Sequence, residues 1–443
     1  MKRLGHLWSS LRASFWFVPS LIVASSMVLA AALIEADSIL GGQWLARWPR
    51  LFGAGAAGAR GMMSTIAGSM MSVVGVTFSM ILVVFALASS QYTSRILRNF
   101  MRDRVTQIVL GIFAGVFAYC LIALRTIRGG DEGGFVPNLA VFFGFVLAMG
   151  CVGVLIFFIH HIAASIQASN IIASVADETI AAVDRLFPDT LGRGPDGDEE
   201  DQARIPLPER NWQAVPAKWN GYIQSVDHAA LLRLAREHKT VVRMERRIGE
   251  FVVCNTPLAS LALDDPLEEE TVAALQAAYS VARHRTVHQD CAFGIRQIVD
   301  MAMRALSPSI NDTTTAVMCV DYLTAILARL ASRNIPSSYR YKDGELRVIA
   351  MGQNFANLVA ESFDQILGSA NGNLGIMLRI LGALQTIASL TTSPGRQRVL
   401  CKQAQRIAEL AERTLASPHD RELFERRLAH VRAAIEHEQP TKE

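Results

Sequence analysis

Residues 15–34 read FWFVPSLIVASSMVLAAALI, and this run decides the class of protein to which the chain belongs. It contains no charged side chain and has about the twenty apolar residues that a helix needs to cross a bilayer. Trp16 and Phe17 stand at its start, where aromatic side chains favour the interface between lipid and water. The run predicts a transmembrane helix, because the apolar core of a cleaved signal peptide is shorter.

Three further apolar runs, at residues 69–89, 107–124 and 139–162, have no Asp, Glu, Lys or Arg in their cores. Together with the first run they predict a membrane domain over residues 1–187 with four spans and an exit helix. The densest basic loop lies between the second and third spans and contains Arg95, Arg98, Arg102 and Arg104. Because basic loops stay on the cytosolic side, both termini are predicted to be cytosolic, in a multi-pass protein of the inner (plasma) membrane.

Small residues recur on one face of the second predicted span. They follow alternating steps of four and three residues, at Gly68, Ser72, Gly75 and Ser79. One interpretation is close helix packing, which small side chains allow. The other is a water-facing surface that lines a pore, since the face carries hydroxyl groups.

The fourth predicted span ends in His160 and His161, and a helical pattern continues beyond them. Adjacent residues point in different directions on a helix, so this pair alone does not form a two-ligand metal site. The histidines are interpreted either as interfacial side chains or as pH-responsive groups at the membrane mouth.

The second half of the chain predicts a cytosolic α+β domain. A linker rich in Pro, Gly, Asp and Glu covers residues 188–217, a small β-rich module covers 218–265, and a mostly helical part covers 266–443. Residues 267–281 are predicted as one helix. The fold class is therefore mainly α: a four-helix transmembrane bundle, then a cytosolic domain with short strands and a helical C-terminal part.

The stretch 283–316 concentrates polar residues. Its helical pattern places Arg296, Asp300 and Arg304 four apart on one stripe, and Pro308 ends the helix. The spacing predicts one polar site, formed by Arg296, Asp300, Arg304, Asn311 and Asp312. In one interpretation the carboxylates neutralise the arginines, and in the other an anionic small molecule supplies the missing charge.

The run RALSPSIND followed by TTTA, at 304–316, resembles a family of bacterial predicted membrane proteins, domain-of-unknown-function family twenty-two fifty-four. The runs SFWFVPSL, TIAGSMMSVVGVTFS, SSQYTSRILRNFMRDR and FFIHHIAASIQ are similar to the same family. Members usually have proline where this chain has Thr313, and glycine near Asn255. The resemblance implies a membrane protein; it implies no defined activity.

Motifs of known chemistry are absent from the sequence: there is no GxxxxGK[ST], GxGxxG after a strand, HExxH or GxSxG. The six cysteines have no metal-ligand spacing and predict free thiols. We therefore expect no catalytic residue, cofactor or metal, and the net charge of +3 does not favour nucleic acid as a partner.

Two functions remain open from the sequence. The first is a homo-oligomeric, channel-like or transport protein whose cytosolic domain regulates it. The second is a membrane-anchored sensor or scaffold without a conduit. The lipid bilayer is the expected partner in both, and an anionic small molecule is a further possible ligand.

Overall fold

The structure is a computed structural model that describes residues 15–40, 55–91, 103–128, 135–187, 211–336 and 338–437. Within these ranges the chain is mostly helical, with several apolar helices and a small sheet region. It divides into two compact units, Met1–Gln167 and Ala168–Glu443.

Four helices make up the described part of the first unit: α1 Phe17–Leu40, α2 Ala56–Gln91, α3 Arg104–Thr126 and α4 Asn138–Ser165. The four predicted spans are thus helices, although α2 begins at Ala56 and not near residue 69. All four are long and apolar enough to cross a membrane. A fifth helix of the described chain, Thr313–Ala331, also passes this test, so length and hydropathy do not by themselves fix the number of spans.

Glycines of α3 allow close packing in the first unit. A Cβ at Gly111 would lie 2.8 Å from the Cδ1 of Ile22 on α1, and one at Gly115 would lie 2.5 Å from the Oγ of Ser26. On another side of α3, the Tyr119 hydroxyl donates a 2.7 Å hydrogen bond to the Ala140 carbonyl of α4. The helix α3 therefore occupies the centre of the bundle.

The first turn of α4 receives its cap from another helix. Pro137, the residue before α4, offers no side-chain hydrogen bond to the helix. The carboxylate of Asp37 on α1 instead accepts hydrogen bonds from the backbone N–H groups of Asn138 and Leu139. Asp37 is only 6% exposed, so this cap lies inside the bundle.

The second unit begins with α5, Ala168–Leu186, which follows the end of α4 at Ser165. The predicted continuous exit helix is therefore two helices. The other helices of the described second unit are α6 His228–Glu237, α7 Glu269–Ala277, α8 Cys291–Ala305, α9 Thr313–Ala331, α10 Phe355–Ala370, α11 Leu374–Ala388, α12 Pro394–Thr414 and α13 Pro418–His437.

Two small sheets belong to the second unit. The strands are β1 Trp212–Pro216, β2 Gly221–Val226, β3 Val242–Met244, β4 Phe251–Val252, β5 Pro257–Ala262, β6 Tyr279–Ala282, β7 Tyr339–Lys342 and β8 Glu345–Ile349. One sheet has the order β1-β5-β3-β8-β7 and the other β4-β2-β6. The β3–β8 pair is parallel, and the other pairs are antiparallel.

The single helix predicted over residues 267–281 is wrong. The helix α7 ends at Ala277, and the next residues form β6 against β2. Tyr279 is buried there and opposes Val226, so the aromatic and β-branched side chains favour the strand.

Helices α5, α8 and α9 pack against one another in the core of the second unit. A Cβ at Gly294 of α8 would collide with the Oγ1 of Thr179 on α5, so the two helices approach as closely as a glycine allows. The buried face of α9 includes Cys319, Leu323 and Leu327. Its exposed side carries Asp321, which pairs with Arg379 of α11.

Candidate functional site

The most connected polar group of the second unit is Asp290, the residue that caps α8. Its Oδ1 accepts a 3.1 Å hydrogen bond from the backbone N–H of Phe293 and another of 3.1 Å from the Gln353 side chain. Its Oδ2 accepts hydrogen bonds from the Arg285 guanidinium at 2.9 and 2.8 Å. The Asp290 side chain is 1% exposed, and this burial raises the pKa of its carboxyl. The positive charge of Arg285 lowers the pKa but does not cancel the effect of burial.

Gly249 lies directly against this pair. Its φ of +88° belongs to the left-handed region, and a Cβ there would collide with Asp290 and lie 2.8 Å from Arg285. The loop between β3 and β4 can therefore cover the pair because residue 249 has no side chain.

The carboxyl of Glu361 on α10 feels the charges of Arg285, Asp290, Arg296 and Arg247. Partial burial and the negative charge of Asp290 raise the pKa of Glu361, and the three arginines lower it without reversing the rise. We call Arg247, Arg285, Arg296, Asp290, Gln353 and Glu361 the polar cluster. Because these residues come from four separate segments, the cluster joins the β-rich module to the helical part of the unit.

The polar cluster does not have the properties of a catalytic centre. Burial raises the pKa of the neighbouring Cys291 thiol to about 12, so this sulfur is protonated at neutral pH and is a poor nucleophile. The thiol donates instead to Gln353 at 3.1 Å. In the described part of the chain, no group of three His, Cys, Asp or Glu residues is placed to hold a metal.

The structure divides the five residues of the predicted polar site among separate contacts. Arg296 pairs with Asp300 at 2.8 Å, one helical turn along α8. The Arg304 side chain is exposed and forms no ion pair with any residue that the structure describes. Asp312 caps α9, because its carboxylate accepts hydrogen bonds from the Thr315 N–H and hydroxyl at 3.0 and 2.6 Å.

The turn after α8 brings the chain back to the end of that helix. The Asp312 N–H donates to the Ala305 carbonyl at 2.8 Å, and Asn311 adopts a left-handed φ of +48° on the exposed side. The Asp312 carboxylate caps α9 and forms no ion pair with Arg304 among the described residues.

The small residues of α2 lie on a face that the described helices leave uncovered. We call Gly68, Ser72, Gly75 and Ser79 the small face; all four are exposed, and a Cβ at either glycine would meet nothing within 4 Å. The packed seam of α2 consists of buried residues at Met63, Ala67, Met70, Thr77, Ile81 and Val84. At roughly 100° per residue, the small face lies about 160° from this seam around the helix axis.

The two histidines at the end of α4 occupy different environments. His160 is exposed, whereas the Nε2 of His161 lies 2.9 Å from the Oδ2 of Asp103. Asp103 also caps α3 by accepting hydrogen bonds from the N–H groups of Val105 and Thr106. Burial raises the pKa of Asp103, but its hydrogen bonds, first those from Thr106 and His161, outweigh burial and hold the pKa below its ordinary value. His161 therefore clamps α4 to the first turn of α3.

The sequence did not predict the partners of Asp103 and Asp290. Asp103 was not predicted as a cap, and no sequence pattern pairs it with a histidine 58 residues away. Gln353 gave no signal at all, because it reaches Asp290 from 63 residues further along the chain. All six cysteines are free, as predicted.

Comparison with known proteins gives a family and similar sequences. The sequence profile of a family described as "Predicted membrane protein (DUF2254)" matches residues 12–386. An uncharacterized protein of Mycobacterium bovis and one of Mycobacterium tuberculosis are each 30% identical to this chain over 435 residues, which cover 95% of this chain and 80% of the relative. No solved structure matches.

Proposed function

The chain belongs to this family of predicted membrane proteins, DUF2254, and we propose that it is an oligomeric, channel-like protein of the bacterial inner membrane. In this proposal several copies surround an axis that the small face of α2 lines. The second unit lies in the cytosol and biases opening through differential contacts in the closed and open states. The observation that carries the proposal is the uncovered small face on the side of α2 opposite its packed seam.

The small face is unsuited to lipid as its only neighbour. Glycine and serine offer little apolar area to acyl chains, and small residues in spans usually meet another helix or water. The glycines of α3 illustrate the contrast, because Gly111 and Gly115 contact α1 within the same unit. Gly68 and Gly75 have no such neighbour among the residues that the structure describes, so a second copy or a water-filled axis is their expected environment.

The proposal includes a topology of four spans, α1 to α4, with both termini in the cytosol. Arginines at positions 95, 98 and 102 of the sequence between α2 and α3, and Arg104 at the start of α3, support this orientation. We place α9 outside the bilayer in spite of its hydropathy. Its Asp321–Arg379 pair and its packing against α5, α8 and α11 fit a soluble core better than a lipid environment.

Flux measurements test the conduit directly. The purified protein is reconstituted in liposomes, and the passage of ions and small solutes is recorded over a range of pH, voltage and membrane tension. We expect flux in the wild type and a several-fold change in the Ser72→Leu and Gly75→Leu variants, because leucine would fill the space that the small face leaves open.

Gly150→Leu is the matched control, because Gly150 is an exposed glycine of α4 whose added Cβ would also meet nothing within 4 Å. It should leave flux near the wild-type value. Absence of flux under every condition would reject the conduit, and an equal effect of all three leucines would reject the small face as its lining.

A second candidate function is a sensor or scaffold without a conduit, and the polar cluster favours it. Buried charges that connect two parts of a domain can favour one of two conformations of that domain, which is what a sensor requires. In this case the small face is packed and dry, so cysteines placed at Ser72 and Ser79 should resist hydrophilic thiol reagents. Rapid labelling of both positions would favour the channel.

A further inference from the structure

Two turns of the second unit are held side by side at one end of the β4-β2-β6 sheet. They are residues 217–220, before β2, and residues 253–256, after β4. The Ala217 N–H donates to the Thr256 carbonyl at 2.8 Å, and the Asn255 N–H donates back to the Ala217 carbonyl at 2.9 Å. The Cys254 N–H donates to the Asn220 side chain at 2.7 Å. These hydrogen bonds fix the two turns as one rigid surface.

Large apolar side chains stand on this surface and are covered by nothing in the described chain. Trp219 is 54% exposed, Phe251 is 50% exposed and Val253 is 51% exposed. The Lys218 ammonium lies 5.1 Å from the centre of the Trp219 ring, and Tyr222 packs its ring edge-on against Phe251 at 5.1 Å. We call Lys218, Trp219, Phe251 and Val253 the turn patch.

Lys218 is the charged residue of the two turns themselves. Within residues 217–220 and 253–256 it is the only Asp, Glu, Lys or Arg. Glu250, next to Phe251, lies 4.0 Å from Arg247, which compensates its charge. Lys218 forms no ion pair with any residue that the structure describes. The turn patch thus combines exposed aromatic and aliphatic side chains with an uncompensated cation.

We infer that the turn patch docks on the surface of an anionic lipid bilayer. Trp219, Phe251 and Val253 enter the interfacial region, and Lys218 lies among the lipid phosphates. Surfaces that bind the interfacial region of a bilayer combine aromatic side chains with lysine or arginine. The aromatic rings enter the apolar side of this region, and the cations stay on its polar side. An anionic surface attracts a nearby lysine.

Lipid is favoured over a protein partner for two reasons. The chain is a membrane protein, so a bilayer is always within reach of its second unit at high effective concentration. Trp219 and Val253 also stand on two short turns, and Phe251 begins an edge strand, β4, of only two residues, so the patch offers neither a groove nor a long strand edge for a protein partner. The inference does not depend on the channel, because a scaffold would dock in the same way.

A spin label measures the contact in the full chain. The background carries Cys254→Ser and Cys401→Ser, because the other four cysteines are buried. The label is attached at Val253→Cys, and its accessibility to oxygen and to a nickel chelate is compared in nanodiscs of phosphatidylcholine with and without phosphatidylglycerol. The control label is at Leu423→Cys on α13, an exposed apolar position far along the chain.

We expect the label at residue 253 to favour oxygen over the nickel chelate, most strongly with phosphatidylglycerol, while the label at residue 423 stays water-accessible in both nanodiscs. Adding Trp219→Glu should return residue 253 to the aqueous value without lowering the melting temperature, because Trp219 is half exposed. Aqueous accessibility at residue 253 in both nanodiscs overturns the inference. Shielding from both reagents also overturns it, since a second copy or another protein would then cover the patch.

Discussion

Gly249 is the single residue on which the polar cluster depends most directly. In Gly249→Ala the new methyl group would collide with Asp290 and separate it from Arg285, leaving buried charge without its partner. Breaking such a pair costs about 3 kcal/mol or more. We therefore expect a marked fall in the melting temperature of the second unit, measured by thermal unfolding of the full chain in detergent.

Gly344→Ala separates this effect from backbone strain. Gly344 also has a left-handed φ, of +78°, but a Cβ there would meet nothing within 4 Å. Its substitution should cost only the strain of an alanine in that conformation, about 1 kcal/mol. Equal losses in the two variants would show that Gly249 does not serve the Asp290–Arg285 pair.

The carboxyl of Asp184 on α5 makes the stability of the second unit depend on pH in the acidic range. The hydrogen bond from Arg329, together with the charges of Arg329 and Arg333 of the α9 end, holds its pKa below the ordinary value of 3.8. A carboxyl with a lowered folded-state pKa stabilises the protein above its unfolded pKa, and this stability is lost as pH falls through the folded value. Asp184→Asn should therefore lower the melting temperature at pH 7. The difference in melting temperature between the variant and the wild type should close as pH falls below 3.8.

The size of the Asp184 effect should be small, under about 1 kcal/mol, because Asp184 is 37% exposed and solvent screens the pair. Asp343→Asn is a suitable comparison, since both partners of the Arg236–Asp343 pair are more than half exposed. The melting temperature of Asp343→Asn at pH 7 should equal that of the wild type. A gap for Asp184→Asn that persists unchanged at pH 3 would contradict the assignment.

Single residues also mark where sequence reasoning succeeds and fails. The sequence offers Asn311 or Asp312 as the cap of α9, and Asp312 takes this role, because a carboxylate before an apolar helix satisfies its first N–H groups. The Arg296–Asp300 pair is also local. The cap at Asp290 was not predicted. Contacts such as Gln353 with Asp290 and His161 with Asp103 are closed by the fold, and no spacing along the chain encodes them.

Among the elements, the crossing of α5 and α8 is the closest approach in the second unit. Gly294→Ala would force the new Cβ into Thr179, whose hydroxyl already donates to the Val175 carbonyl. Overpacking of this kind costs about 2 kcal/mol, which exceeds the gain in helix propensity. We expect a lower melting temperature for the second unit.

Gly368→Ala on α10 is the control for helix propensity. A Cβ at Gly368 meets nothing within 4 Å, so the substitution should stabilise the helix by up to about 1 kcal/mol. The two glycine substitutions should thus shift the melting temperature in opposite directions. Stabilisation by both would mean that α5 and α8 can separate without cost.

Elements differ in how well the sequence predicts them. The long helices α9, α11 and α12 can be read from the sequence, since their apolar faces repeat at helical spacing over four or more turns. Strands β1 and β5 were missed and β6 was assigned to a helix. These strands are four to six residues long, and their stability comes from partners distant in the sequence.

The number of spans is a property of the whole molecule, and α9 is the helix that decides it. If α9 stays out of the bilayer, reporters fused after Lys218 and after Asn371 lie on the same side. We expect a fluorescent protein to be bright and a periplasmic phosphatase to be inactive at both positions. Reporters that disagree would mean that α9 crosses, and a phosphatase active at both would reverse the proposed orientation.

The cap that Asp37 provides for α4 has a consequence for biosynthesis. Two amide groups at the start of α4 have their partner on a helix made about a hundred residues earlier. In the proposed topology the ribosome delivers α1 first, so the carboxylate is available before α4 is inserted. A circular permutant that supplies α1 last would leave these N–H groups without Asp37 during insertion, and an unsatisfied amide in lipid costs several kcal/mol. The natural order of the helices thus supplies the cap before the helix that needs it.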